Sequence, residues 1–171
     1  IPDGSPSLEA LRSACQALGF EFTSEPLARS PYIPLSGDYE EYLAGLDKKQ
    51  RHEMRRKVRR MLELPQGSDW YIVSDPETLD HEVDEFLRMM AYDENKRRFL
   101  TEPMKEQMRL SMRDAFGHHM LQLAFLTIGA EKAAAYLNFD FNNRIWVYNS
   151  GIDPQFFEHS PGWVLLVHLI K

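Results

Sequence analysis

The sequence predicts an α+β fold, and three observations carry that reading. Residues 121–149 contain three strand-like runs joined by short turns, the pattern of an antiparallel meander. Segments with helical spacing precede and follow them. The last strand then feeds a helix start, Ser160-Pro161-Gly162, opening the apolar run Trp163-Val164-Leu165-Leu166-Val167.

Taken in order, Ser7 to Leu18 reads as a helix and Phe20-Glu21-Phe22-Thr23 as a short strand. Ser24 to Pro34 contains Pro26, Pro31 and Pro34 and reads as an extended connector. Asp38-x-x-Glu41 matches a capping box ahead of Tyr39, Tyr42 and Leu43, and Gly45 interrupts the helix it starts. Asp47-x-x-Gln50 offers a second start, with Leu46, Gln50, Met54, Val58, Met61 and Leu62 as a stripe down a helix that runs toward Pro65. Trp70-Tyr71-Ile72-Val73 is a strand. Asp75-Pro76 reads as an N-cap and first turn before Leu79, Val83, Phe86, Leu87 and Met90. A polar stretch, Tyr92 to Arg98, separates this helix from one opened by Thr101 and stopped at Gly117. Leu121 to Ile128 and Ala133 to Phe141 are strands around the turn Gly129-Ala130-Glu131. Asn142-Asn143 suits positive φ and a tight hairpin. Arg144 to Asn149 is apolar on both faces, which predicts a central strand.

With 171 residues, 43% of them hydrophobic, the chain can build one sizeable core. Its single cysteine, Cys15, excludes an internal disulfide and any cysteine metal site, fits a reducing compartment, and reads as buried filler within a helix. Ile1-Pro2-Asp3-Gly4 has neither the basic region nor the apolar run of a signal peptide, and no run reaches the length of a membrane span. A cytoplasmic protein is expected. The missing initial methionine and the stop at Lys171 inside an apolar pattern suggest a fragment, with further elements after Lys171.

Charge is unevenly distributed. Residues 48–60 hold Lys48, Lys49, Arg51, Arg55, Arg56, Lys57, Arg59 and Arg60 against Glu53, a local +7 in a chain of −6, which leaves −13 elsewhere. Such a rod is a solvated face, a clamp for an anionic substrate, or a contact for RNA phosphates. No aromatic residue interleaves the cations, which weakens single-strand RNA reading.

The chemistry concentrates at the end of the chain. Free N–H groups of a first helical turn carry partial positive charge and suit a phosphate. Ser160 fits the N-cap, Pro161 the first helical position, and Gly162 a close approach of ligand to main chain. A plain, well-capped core helix fits the same signals. His118-His119 is poorly arranged for chelation, so no metal site is expected. Glu158 and His159 beside the helix start are candidate bases, with loop polarity the competing explanation. Asp153-Pro154 reads as a turn, and the methionines as core filler.

Three pieces carry a family resemblance: Ser30-Pro31-Tyr32-Ile33-Pro34-Leu35 before Tyr42-Leu43; Lys48 to Lys57 with Arg59-Arg60; and Ser150-Gly151-Ile152-Asp153-Pro154 with Ser160-Pro161-Gly162. Together with the element order, they resemble the GNAT N-acyltransferases, and more narrowly the Fem-like group that includes proteins of polysaccharide synthesis. The resemblance implies a GNAT-like mixed sheet flanked by helices, truncated after the helix following the fourth core strand. It implies three segments: 1–29 as the tail of a preceding GNAT-like domain, 30–65 as connector and basic helix, and 66–171 as the N-terminal part of an acyltransferase domain.

It also implies acyl-CoA as co-substrate, without a metal. The pantetheine arm would lie along Tyr148, Asn149, Ser150 and Gly151, and the phosphates at Ser160, Pro161 and Gly162. The general GNAT phosphate loop carries a glutamine or arginine and two glycines; here only Gly162 lies near the helix. The acceptor would be an amine on a small molecule, saccharide or peptide. Charged tRNA as donor, or a GNAT-like binding module without activity, are the alternatives. The catalytic base and the oligomeric state are not legible.

Overall fold

The computed structural model describes residues 4–28, 30–35 and 37–171. Ile1 to Asp3, part of the start read above as lacking a leader, and Arg29, at the end of the expected first segment, lie outside the described residues. The chain divides into two compact units, Ile1–Pro34 and Leu35–Lys171.

The first unit holds helix α1, Pro6–Ala17, capped by Ser5 through Ser7 N at 3.3 Å. Gly19 at φ 76° ends it in the left-handed turn that glycine adopts without a Cβ penalty. The strand expected at Phe20-Glu21-Phe22-Thr23 does not form. A single strand with no neighbour leaves its backbone groups unpaired; instead Phe20 N folds back to Cys15 O at 2.8 Å, and Phe22 lies under the Arg12 guanidinium.

The second unit starts with two capped helices. Asp38 accepts from Glu41 N at 3.0 Å ahead of α2 (Tyr39–Gly45), and Asp47 from Gln50 N at 2.8 Å ahead of α3 (Lys48–Leu62). The α3 stripe buries Met54 and Met61, while Leu62 stays exposed.

Strand β1 (Ser68–Ile72) leads to α4 (Leu79–Met90). Asp75 was expected to cap α4 but bonds Glu77 N at 2.9 Å, so its turn precedes the helix and α4 begins three residues later, after Thr78. The polar stretch after α4 contains a short helix, α5 (Glu94–Phe99), capped by Asp93 through Asn95 N and Lys96 N. Its six residues lack the apolar stripe that would have announced it. Helix α6 (Glu102–Gly117) ends with Gly117 still helical, and His119 takes the left-handed φ of 56° instead.

Strands β2 (Leu121–Ile128), β3 (Glu131–Asp140) and β4 (Ile145–Ile152) complete a sheet of order β1-β2-β3-β4, antiparallel at every pairing. Asn142 and Asn143 hold φ of 54° and 57° in the last hairpin. A 3-10 helix, Pro154–His159, leads into α7 (Pro161–Ile170).

Helices α4 and α6 cover one face of the sheet, burying Phe86, Met89, Met112 and Phe125; α7 covers the other, with α3 packed on α7. Strand β4 was expected to be central. Among the described residues it is an edge, and Ile145, Trp146, Val147 and Tyr148 are exposed.

On α7, His168 stacks on Trp70 with ring centroids 5.1 Å apart. Burial, then the Lys171 charge, holds its pKa below the usual imidazole value of 6.5, against an opposing pull from Asp69. The folded state therefore favours neutral His168. As pH falls below about 6.5 the unfolded chain takes up the proton first, so this contribution is complete above that pH and is lost as pH drops. Urea midpoints at about pH 7.5 and about pH 5.5 should differ more in the native protein than in His168→Gln. Equal differences would show that His168 does not couple.

Candidate functional site

The decisive local event is a bulge in β4. The pairing steps from Leu137 opposite Asn149 to Asn138 opposite Val147, which leaves Tyr148 as the extra residue. A bulge bends the strand and re-aims its side chains and peptides. Tyr148 is 54% exposed, its ring edge-on to Phe139 with centroids 5.8 Å apart. Asn149 turns its Oδ1 onto Ser150 N at 2.9 Å. Ser150 and Gly151 then line a cleft of about 370 Å³.

The cleft lies between the end of α4, helix α5, β4 and the 3-10 helix. Met89, Met90, Ile152, Pro154 and Phe157 give it apolar walls. Its absence of a Cβ lets Gly151 pass close under α4: an added Cβ would sit 2.7 Å from Met89 Cβ and 2.8 Å from Met89 C and Met90 N. Lys96 of α5 reaches across the cleft, and its Nζ donates to the Ser150 carbonyl at 2.6 Å. Nothing in the sequence marked Lys96, because α5 itself was not legible there.

The expected phosphate cradle sits apart from this cleft. Ser160 occupies the N-cap position of α7, but in a left-handed conformation (φ 53°, ψ 48°) and without a side-chain capping bond. Ser160 lies at the tight exit from the 3-10 helix, where its N–H donates to Phe157 O at 3.0 Å. Pro161 takes the first helical position as expected. Pro161 and Gly162 are both buried. A Cβ at Gly162 would meet Ile152 Cδ1 at 2.7 Å, so the glycine serves the packing of α7 on β4. Trp163 is 38% exposed, and Lys57 Nζ lies 5.4 Å from its ring centroid.

Ser160 shares a small cavity, about 20 Å³, with Arg56, Lys57, Arg60, Glu158 and His159. The structure thus joins two features that are separate in the sequence: the basic rod and the start of α7. Much of the rod is engaged locally. Arg51 donates to the carbonyls of Leu43 (3.0 Å) and Leu46 (3.2 Å), fixing the α2–α3 corner. Arg55 pairs with Glu40, and Arg56 holds Glu53 through two hydrogen bonds of 2.8 and 2.7 Å. That contact holds the Glu53 carboxyl below the usual carboxylate range. Arg60 has no ion-pair partner among the described residues. His159 Nε2 lies 3.3 Å from Glu158 Oε1.

A family model described as an acetyltransferase (GNAT) domain matches residues 48–171. The chain belongs to the GNAT acetyltransferase family. No curated protein matches it. As a GNAT domain, the chain is of an N-acetyltransferase type, for which the family's co-substrate is acyl-CoA and the acceptor an amine. Its match begins at Lys48, so the basic helix α3 belongs to the matched region. Among the described residues no cluster of three His, Cys, Asp or Glu side chains could hold a metal ion, and no helix is long and apolar enough to cross a membrane.

Proposed function

We propose that this GNAT domain transfers an acyl group from acyl-CoA to an amine carried on a saccharide or peptide, as in the Fem-like, polysaccharide-linked group. The observation that carries the donor reading is the cavity shared by Ser160 and the α3 cations. The first turn of α7 leaves the Gly162 and Trp163 amides without intrahelical acceptors, and Arg60, which has no ion-pair partner among the described residues, lines the same cavity as Ser160 at the start of that turn. The CoA phosphates would lie there, in contact with Ser160 and the amides after Pro161. The pantetheine arm would run along Tyr148, Asn149, Ser150 and Gly151 toward the cleft. Peptide groups on the bulged edge would polarise the thioester carbonyl. A neutral acceptor amine would attack, and thiolate would leave.

Charged tRNA is the weaker donor reading, because Arg51, Arg55 and Arg56 are held by this chain's own carbonyls and carboxylates.

Acetyl-CoA titrated calorimetrically should bind, and Arg60→Ala should weaken binding about tenfold, the loss of one charge-assisted phosphate contact. Pantetheine, which lacks the nucleotide phosphates, should bind the two proteins equally. Acetyl-CoA should also slow hydrogen exchange at Gly162 and Trp163. No acetyl-CoA binding, or unchanged exchange at saturation, removes the donor reading.

A further inference from the structure

Lys96 reaches Ser150 from a distant part of the chain. It sits on α5, 54 positions before Ser150 in the chain, yet its Nζ lies 2.6 Å from the Ser150 carbonyl oxygen and 3.5 Å from Ser150 Oγ. The same cleft is lined by the apolar side chains of Met89, Ile152 and Phe157. Burial pushes the Lys96 pKa below the usual lysine value, against an opposing pull from the Asp93 carboxylate. Two other polar groups at this end of the cleft are occupied: Glu94 pairs with Arg97 and Arg98, and the Tyr92 hydroxyl accepts from Arg88 at 2.6 Å. An amine held in a low-dielectric site beside an acyl donor is a reactive amine.

We propose that Lys96 is itself an acyl acceptor, a self-modification site served by a thioester lying on the β4 edge at Ser150 and Gly151. The proposal rests on the acyl-CoA reading above. Neutral Nζ adds to the thioester carbonyl carbon, the C–N bond forms, and the C–S bond breaks with its electron pair leaving on sulfur. The proton lost by nitrogen goes to the thiolate, giving free CoA and N-acyl-lysine. The new amide keeps one N–H for the Ser150 carbonyl, so the modified side chain stays in place and its acyl group occupies the cleft. Acylation leaves Lys96 without a nucleophilic amine and puts the acyl group into the cavity, which makes Lys96 a brake on the domain's turnover.

The test incubates the protein with acetyl-CoA, digests it, and follows acetylation at each lysine by mass spectrometry, with calorimetric binding in parallel. Lys48 and Lys49 are exposed and serve as internal references. Lys96 should be acetylated at least about tenfold faster than either, from proximity to the bound donor. The excess should vanish in urea, and its rate should level off at a lower pH than theirs. Lys96→Arg should bind acetyl-CoA without acquiring an acetyl group at that position. If acetyl-CoA binds and Lys96 reacts no faster than Lys48, the proposal is overturned while the donor reading stands. If calorimetry shows no acetyl-CoA binding, the donor reading fails and this proposal fails with it.

Discussion

Replacing Gly151 with alanine should destabilise the protein by about 3 kcal/mol, the upper part of the usual range for overpacking. The new Cβ would lie 2.7 Å from Met89 Cβ and 2.8 Å from two backbone atoms at the end of α4. Backbone there cannot rotate aside as a side chain can, because Met89 and Met90 are fully buried and packed into the core between α4, α6 and the sheet. The strain has two outlets: α4 lifts from β4, or β4 shifts away from β3. Both distort the cleft, since Met89, Met90 and Gly151 all line it. Gly162→Ala is the control. Its Cβ would meet chiefly the tip of Ile152, which can change rotamer, and alanine recovers helix propensity, so the cost should stay below about 1 kcal/mol. Urea denaturation of the two variants checks this. A Gly162→Ala cost equal to that of Gly151→Ala would show that the two helix–strand contacts are equally rigid.

Lys132→Met should cost about 3 kcal/mol, or roughly 6–12 °C in Tm for a domain of this size. Lys132 Nζ lies 2.8 Å from a Glu82 carboxylate oxygen, and the two side chains are 13% and 12% exposed. It also sits 3.9 Å from Glu85 and 4.9 Å from the centroid of Phe125, which stacks on Tyr71. The Tyr71 hydroxyl donates to Glu82 at 3.1 Å, and burial together with that carboxylate raises its pKa well above 10. Without the lysine, Glu82 keeps only the tyrosine hydroxyl while Glu85, held by Arg88, remains a like charge nearby. The cost is that of an uncompensated, nearly buried carboxylate. Pairing Lys132→Met with Glu82→Gln should therefore recover most of the loss in a double-mutant cycle. Additive losses would show that the two side chains do not interact energetically.

Much of the architecture was legible because local signals and tertiary needs agreed. Asp38 and Asp47 cap the helices their spacing announces, and Asn142-Asn143 turns the hairpin its positive-φ tolerance allows. The misreadings share one cause, the dependence of a segment on a neighbour the sequence does not name. Phe20 to Thr23 has strand propensity but, among the described residues, no strand beside it. Arg144 to Asn149 has the composition of a central strand but lies on an edge among the described residues. Ser160 has the chemistry of a cap, but it also closes the preceding 3-10 helix in a left-handed conformation and makes no side-chain capping bond.

The sequence alone determined the α+β class, the meander, the basic helix and the position of the last helix start, since each follows from periodicity, turn chemistry or charge over a few consecutive residues. Tertiary structure alone decided which of these meet. It brought Arg60 to Ser160, placed Lys96 on Ser150, and made Gly151 the contact between α4 and β4. Such meetings depend on how helices cross a bulged strand, and that geometry is fixed by packing among residues far apart in the chain.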